Sequence, residues 1–310
     1  MLLSAKDSEL MAATVAGSLP TIGEMDPRPD DALAPSLAVW GLAESELPQA
    51  GAFFEDLRDA SVQLHPGART KLFTGIMPRA VLDSLALTDH ETDPTAIDLA
   101  KQLGSAFDLL ASVDEDHFQS VANGIDTLIP VQLRKNCVVS TPLTSITVPS
   151  FPLSSFFSRN ALRHLAPSAL TEKDSVAVLA ENLLHESVHQ RVNLTIIERS
   201  VMMDGFSSAT SSKIEIPWRK TAAEERNRAW ELDRCLHAFA VYVGVFPFRM
   251  AIAKHPQMDK DTKHAFVTSI SQAEKSMRFL GSALMERRDQ FGPDGQSLIE
   301  ELQAANPFAE

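Results

Sequence analysis

The chain reads as a mainly α-helical protein with a small β element. Two observations predict this: long stretches carry apolar residues at helical spacing, and only residues 127–152 concentrate β-favouring ones. At 310 residues the chain could form one large domain or two modest ones. The expected division is an N-terminal helical region over 1–125 and a metal-binding region with C-terminal helices over 126–310, the two possibly continuous.

In chain order, Pro20, Pro27, Pro29, Pro35 and Pro48 predict short helices separated by turns in the first fifty residues. From Ala50 to about Asn123 the pattern turns helical, through Phe53, Phe54, Leu57, Val62 and Leu64, then Ile97, Leu99, Leu103, Phe107, Leu109 and Leu110. Gly124 ends that run. Leu128 to Leu133, Cys137 to Val139 and Ser145 to Pro149 predict short strands, with prolines arguing against a long central one. Thr171, with Asp174 three residues on, predicts a helix start, and apolar spacing carries that helix to about Met202. Ile214 to Arg219 reads as extended, because Ile216 precedes Pro217. Further helices are expected over Thr221 to Lys254 with a kink at Pro247, over Met258 to Gln290, and over Gln296 to Ala305.

Composition narrows the function. A formal charge of −13 argues against nucleic-acid binding, which needs a basic surface to release counterions. No unbroken apolar run approaches the ~18 residues of a membrane span, and the apolar part of the N-terminus is too short for a signal peptide. Cys137 and Cys235 make no disulfide framework. Together these predict an intracellular, cytoplasmic protein.

The chemistry is carried by His185-Glu186-Ser187-Val188-His189, which is H-E-x-x-H inside the expected long helix. Residues four apart share a helical face, so both imidazoles can reach one metal ion. Glu186 projects about 100° from His185, at ~3.6 residues per turn, and in a zinc peptidase would be the general base. The extended peptidase pattern is absent, because Thr195 and Val192 stand where its histidine and glycine would fall. A third ligand must therefore come from elsewhere, the candidates being Glu198, Glu215, Glu224, Glu225, Glu231, Asp233 and His237. Glu198 lies too far along the same helix, and Glu224 and Glu225 sit in a charged stretch with Arg226 and Arg228. His237 lies in Leu236 to Val243, apolar nearly all round and so expected to be buried, and is the chosen ligand. Asp233, one turn earlier, could accept the second ring N–H of His237 and fix its tautomer.

Three features in this order, Leu183-Leu184-His185-Glu186-x-x-His189, Pro217-Trp218-Arg219 and Leu236-His237-Ala238-Phe239-Ala240-Val241, resemble the HExxH-motif peptide-modification family of natural-product gene clusters. Its members look like iron- and 2-oxoglutarate-dependent peptide β-hydroxylases. The resemblance covers about Val148 to Val245, and departs from the family in a longer stretch between Arg219 and His237 and in Ala238, where relatives carry glycine. It implies that His185, His189 and His237 hold Fe(II), with open positions for 2-oxoglutarate and O₂. It also implies a ribosomally made precursor peptide as partner, and a supporting role for Glu186. A planar cation should grip the distal carboxylate of 2-oxoglutarate. Arg219 is the first choice, Arg228 and Arg191 follow, and Trp218 could wall the pocket. Tyr242 and Asn182 are further polar candidates. Two rivals remain at this stage: a zinc metallopeptidase using Glu186, and a non-catalytic binding protein with a degenerate site, for which the charged helices after Met258 would serve partner contact.

Overall fold

The computed structural model describes residues 60–93, 95–137, 143–148, 153–208, 210–219 and 228–309. The expected short helices of the first fifty residues, Val138 and Val139, and Glu224 to Arg226 lie outside the described residues. The protein is mainly α. Among the described residues the helices are α1 (Arg79–Ser84), α2 (Ala100–Val113), α3 (Glu115–Gly124), α4 (Val176–Glu198), α5 (Leu232–Lys254), α6 (Lys260–Met285) and α7 (Pro293–Ala305).

The β element is larger than the sequence suggested. Strands β1 (Ser61–Gln63), β2 (Lys71–Phe73), β3 (His90–Thr92), β4 (Thr127–Leu133), β5 (Ser145–Thr147) and β6 (Ser154–Phe157) form one six-stranded sheet. Its order is β1-β2-β4-β6-β5, with β3 also on β4; β2, β4 and β6 run parallel. The helical reading of Val62 and Leu64 is corrected: Val62 lies in β1, paired to Leu72. Spacing alone could not separate the two, because a three-residue strand is shorter than either period needs to declare itself.

The sheet is buried on both faces, which masks the alternation that marks a half-exposed strand. Leu72, Leu128 and Phe157 enter the main core with the helices, whereas Phe73, Ile129, Val131 and Phe156 pack under α1 with Val81, Leu82 and Leu85. The expectation against a long central strand also fails, since β4 has seven residues and runs through Pro130. The Pro130 carbonyl accepts from Asp93 N at 2.9 Å. The nitrogen of a strand residue faces the same side as its carbonyl, so the missing N–H falls where β2 has ended and β3 begins. No bond to β6 is lost there.

Shorter pairs are β7 (His164–Leu165) with β8 (Ala169–Leu170) and β9 (Lys213–Glu215) with β10 (Ala229–Glu231). Trp230 and Glu231 are thus strand residues that interrupt the helix expected over Thr221 to Lys254; α5 begins at Leu232, and residues 221–227 lie outside the described residues. Helix α4 starts at Val176, not Thr171, whose hydroxyl instead donates to the Lys173 carbonyl at 2.7 Å. It ends at Glu198, and Met202 bridges to Phe291. Pro247 lies inside α5, as expected from the sequence.

Helix α4 is the axis of the fold. It packs on α2, α3, α5 and β5, and its polar residues tie it to its surroundings. Gln190 donates to Ser154 O at 2.6 Å and accepts from Leu153 N at 3.0 Å, while Ser187 Oγ meets Ser120 Oγ at 3.0 Å. The first pair holds Leu153 at φ 57°, a left-handed conformation that a non-glycine residue adopts only when its surroundings impose it. Where α3 ends, a Cβ on Gly124 would stand 3.2 Å from Ser187 Cβ, so glycine sets that close approach. One core cluster runs from Leu72 through Phe107, Val188 and Phe239 to Leu302.

By length and composition α5 would suit a membrane crossing, with 67% of its most apolar window buried inside the protein. A search for an unbroken apolar run misses it, because Arg234, His237 and Arg249 interrupt the stretch. It packs against α4 and α6.

Candidate metal centre

The facing surfaces of α4 and α5 bring the three histidines together. His185 and His189 have ring centroids 5.0 Å apart, and His189 and His237 5.4 Å apart. The closest polar approach is His189 Nδ1 to His237 Nδ1, at 3.2 Å. In metal-free protein this is an N–H···N hydrogen bond, one ring donating and the other accepting. The distance also suits two donors to one ion, since nitrogens about 2.1 Å from a shared ion at a right angle stand about 3.0 Å apart.

Among the described residues no three His, Cys, Asp or Glu side chains are already disposed around one point as a metal ion requires. His189 stands between the other two rings, and chelation by all three would need side-chain rotation. The donor chemistry fits a first-row divalent ion. His185 Nδ1 is buried without a hydrogen-bond partner, and neutral imidazoles are the ligating form. Burial drives the His189 pKa well below its ordinary value, and the neighbouring charges of His185 and His237 press it further. His237 is pushed down to about 4 by burial, against the opposing charge of Asp233.

The expected Asp233–His237 hydrogen bond is not formed. Asp233 Oδ2 accepts from Ser208 Oγ at 2.5 Å and Oδ1 is buried without a partner, while His237 Nδ1 is turned to His189. A ring nitrogen facing another imidazole across 3.2 Å leaves that N–H nothing to gain from the carboxylate one turn back. Of the other third-ligand candidates, Glu215 is exposed and Glu231 pairs with Lys213 at 3.3 Å.

Arg219 ends a 3-10 turn over Pro217–Arg219, its N–H bonded to Ile216 O at 2.9 Å. Its guanidinium is partly buried, ion-paired to no carboxylate among the described residues, and within electrostatic reach of His164 and Tyr242. Trp218 packs edge-on to Trp230 at 6.1 Å and Phe279 at 5.7 Å, which anchors the turn to β10 and α6. Its Nε1 is buried and unpartnered. Arg228 is exposed, its backbone carbonyl bonded to Ile216 N. Arg191 faces α3, where its charge acts on His117; burial lowers its own pKa to about 10, with Asp116 opposing. Asn182 donates to Ala161 O at 3.0 Å and His164 O at 2.9 Å, so it holds a loop rather than lining a cavity. Glu186 is 4% exposed, with Oε2 unpartnered.

Sequence reasoning missed three residues near the histidines. His164, bonded to Thr144 Oγ1 at 3.0 Å, has its pKa lowered by burial, with Glu181 opposing and the charges of His185 and Arg219 assisting. Glu181 and Arg249 form a fully buried ion pair, Nε to Oε1 at 2.9 Å, beneath Tyr242, whose ring centroid lies 6.0 Å from the guanidinium carbon. Glu181 within the apolar run Val176 to Leu184, and Arg249 within Phe239 to Ile252, were the available signal for that pair. His164, in a short hairpin, carried none.

The depressed histidines fix a pH dependence. Above its ordinary 6.5, His237 is neutral folded or unfolded; between 6.5 and about 4 the unfolded chain takes up a proton that the folded one refuses. Stability therefore falls as pH drops through that window. Tm of metal-free protein is expected to decline from pH 6.5 to 4 more steeply in the wild type than in His237→Gln.

Comparison with protein-family models and with characterised proteins finds no match for this chain.

Proposed function

We propose that the protein is an Fe(II)- and 2-oxoglutarate-dependent oxygenase that hydroxylates a side chain of a ribosomally made precursor peptide, at a β-carbon. The observation that carries the reading is the approach of His189 and His237 from two separate helices to 3.2 Å, with His185 beside them. Three imidazole nitrogen donors on one side of an ion leave its other positions free for a keto acid and O₂. The iron would couple oxidative decarboxylation of 2-oxoglutarate to succinate and CO₂ with insertion of one oxygen atom into a C–H bond. The chain's own part is to hold and orient. His189 and His237, whose pKa values burial lowers, supply donors that need no deprotonation near neutral pH. Arg219 offers a partly buried planar cation to the distal carboxylate, and Tyr242 and the walls of α4 and α5 keep the region dry.

The test is anaerobic reconstitution with Fe(II), then addition of O₂, 2-oxoglutarate and a candidate peptide. Succinate formed in step with hydroxylated peptide is the expected result, and no succinate with or without peptide would overturn the proposal. Arg219→Ala is expected to raise KM for 2-oxoglutarate about 10–100-fold, the cost of ~1.4–2.7 kcal/mol in a charge-assisted contact. Iron affinity should stay at the wild-type level, so steady-state kinetics and metal titration together check the assignment.

One observation favours the zinc peptidase reading, the buried and unpartnered carboxylate oxygen of Glu186, which follows His185 in the chain. Glu186→Gln separates the two. A hydrolase would lose its general base and nearly all turnover, whereas the oxygenase is expected to keep a measurable fraction of its succinate formation.

A further inference from the structure

The polar groups behind the histidines carry an additional assignment, which rests on the reading that these histidines hold a metal. Glu181 and His185 are one helical turn apart on α4, a spacing that places side chains on one face. Glu181 is fully buried. Arg249 from α5 takes its Oε1, through Nε at 2.9 Å and through Nη2. Its Oε2 is buried with no partner. His185 Nδ1 is likewise buried with no partner. An acceptor and a ring nitrogen, both desolvated and both unsatisfied, therefore sit a turn apart, and each is costly to leave so. The guanidinium fixes the carboxylate from behind, leaving one oxygen free to accept.

We propose that Glu181, locked by Arg249, is the positioning residue of the metal centre. With the ion bound, Glu181 would accept the Nδ1–H of His185 through the oxygen that has no partner in the metal-free structure, fix that tautomer and present Nε2 to the ion. Metal-binding histidines need such a partner for their second nitrogen. The same carboxylate-to-histidine spacing recurs on α5 between Asp233 and His237, and there too one carboxylate oxygen, Oδ1, is buried and unpartnered. Glu181 differs in being clamped by a buried arginine from the facing helix. The packing of α4 on α5 is thereby coupled to the orientation of a ligand.

The experiment uses the full chain, loaded anaerobically with Co(II) as a spectroscopic probe. It compares wild type, Glu181→Gln and the double variant Glu181→Gln/Arg249→Met, each checked for fold by circular dichroism. The expected result is about a 10–100-fold loss of Co(II) affinity in both variants, with a changed visible ligand-field spectrum at saturation. A merely structural role would lower Tm and leave that spectrum as it was. Wild-type affinity and spectrum in a folded variant would overturn the role of Glu181 alone. A wild type that takes up no metal would overturn the centre itself, and this role with it. Should neither variant fold, imidazole ¹⁵N–¹H correlation spectra of the Zn(II)-loaded wild type decide. A slowly exchanging, downfield His185 Nδ1–H supports the assignment, and coordination through Nδ1 overturns it.

Discussion

His189→Ala is expected to abolish metal uptake and, with it, succinate formation. His189 is the middle ring, 5.0 Å from His185 by centroid and in polar contact with His237. Its loss removes one donor and separates the remaining two, so neither can recruit the other. The fall in affinity should exceed the roughly 10–100-fold that follows loss of an outer-sphere partner. The folded protein should survive, because a small apolar side chain replaces the imidazole at a partly exposed position. Anaerobic Co(II) titration with parallel circular dichroism checks both halves. Wild-type metal content in His189→Ala would place any metal site elsewhere and remove the basis of the oxygenase reading.

Arg249→Ala is expected to be the most destabilising single change in the described structure, by about 3–5 kcal/mol. Arg249 is fully buried, bonded to Glu181 and to Ser269 O at 3.4 Å, and packs against Tyr242. Removing it leaves the buried Glu181 carboxyl without its partner and opens a cavity between α5 and α6. The double change Glu181→Leu/Arg249→Met should recover most of that loss, because a well-packed apolar pair often equals a buried ion pair in stability. Urea unfolding of the three variants measures both effects. If the double variant regains stability yet binds metal poorly, the ion pair serves the centre rather than the fold. If Arg249→Ala unfolds at the wild-type urea concentration, the pair is not coupled to the core in the way its burial implies.

Local patterns in the sequence located the helices well where they were long. Leu103, Phe107 and Leu110 recur at helical spacing and lie buried along α2; the C-terminal helix ends at Ala305, as expected. Boundaries failed where a partner strand competed. Ala229 to Glu231 has helical neighbours on its C-terminal side, but pairing with Lys213 to Glu215 draws it into an extended conformation. Thr171 has the side chain of a cap, yet its hydroxyl is taken by the Lys173 carbonyl, and the helix starts at Val176. The six-stranded sheet was half hidden for a related reason. Its strands are three to seven residues long, and burial on both faces removes the alternation that would reveal them.

By itself the sequence determined the mainly helical class, the H-E-x-x-H pair on one helix, and the choice of His237 as the residue to look for beside it. Those depend on short-range periodicity and on single residues whose chemistry is specific. Only the tertiary structure decided that His237 turns to His189 rather than to Asp233, that Arg219 is partly buried while Arg228 is exposed, and that Glu181 meets Arg249. The two contacts join residues 48 and 68 positions apart, and the two arginines differ in burial against exposure. Such pairings follow from how α4 packs on α5, and packing geometry has no signature in local spacing.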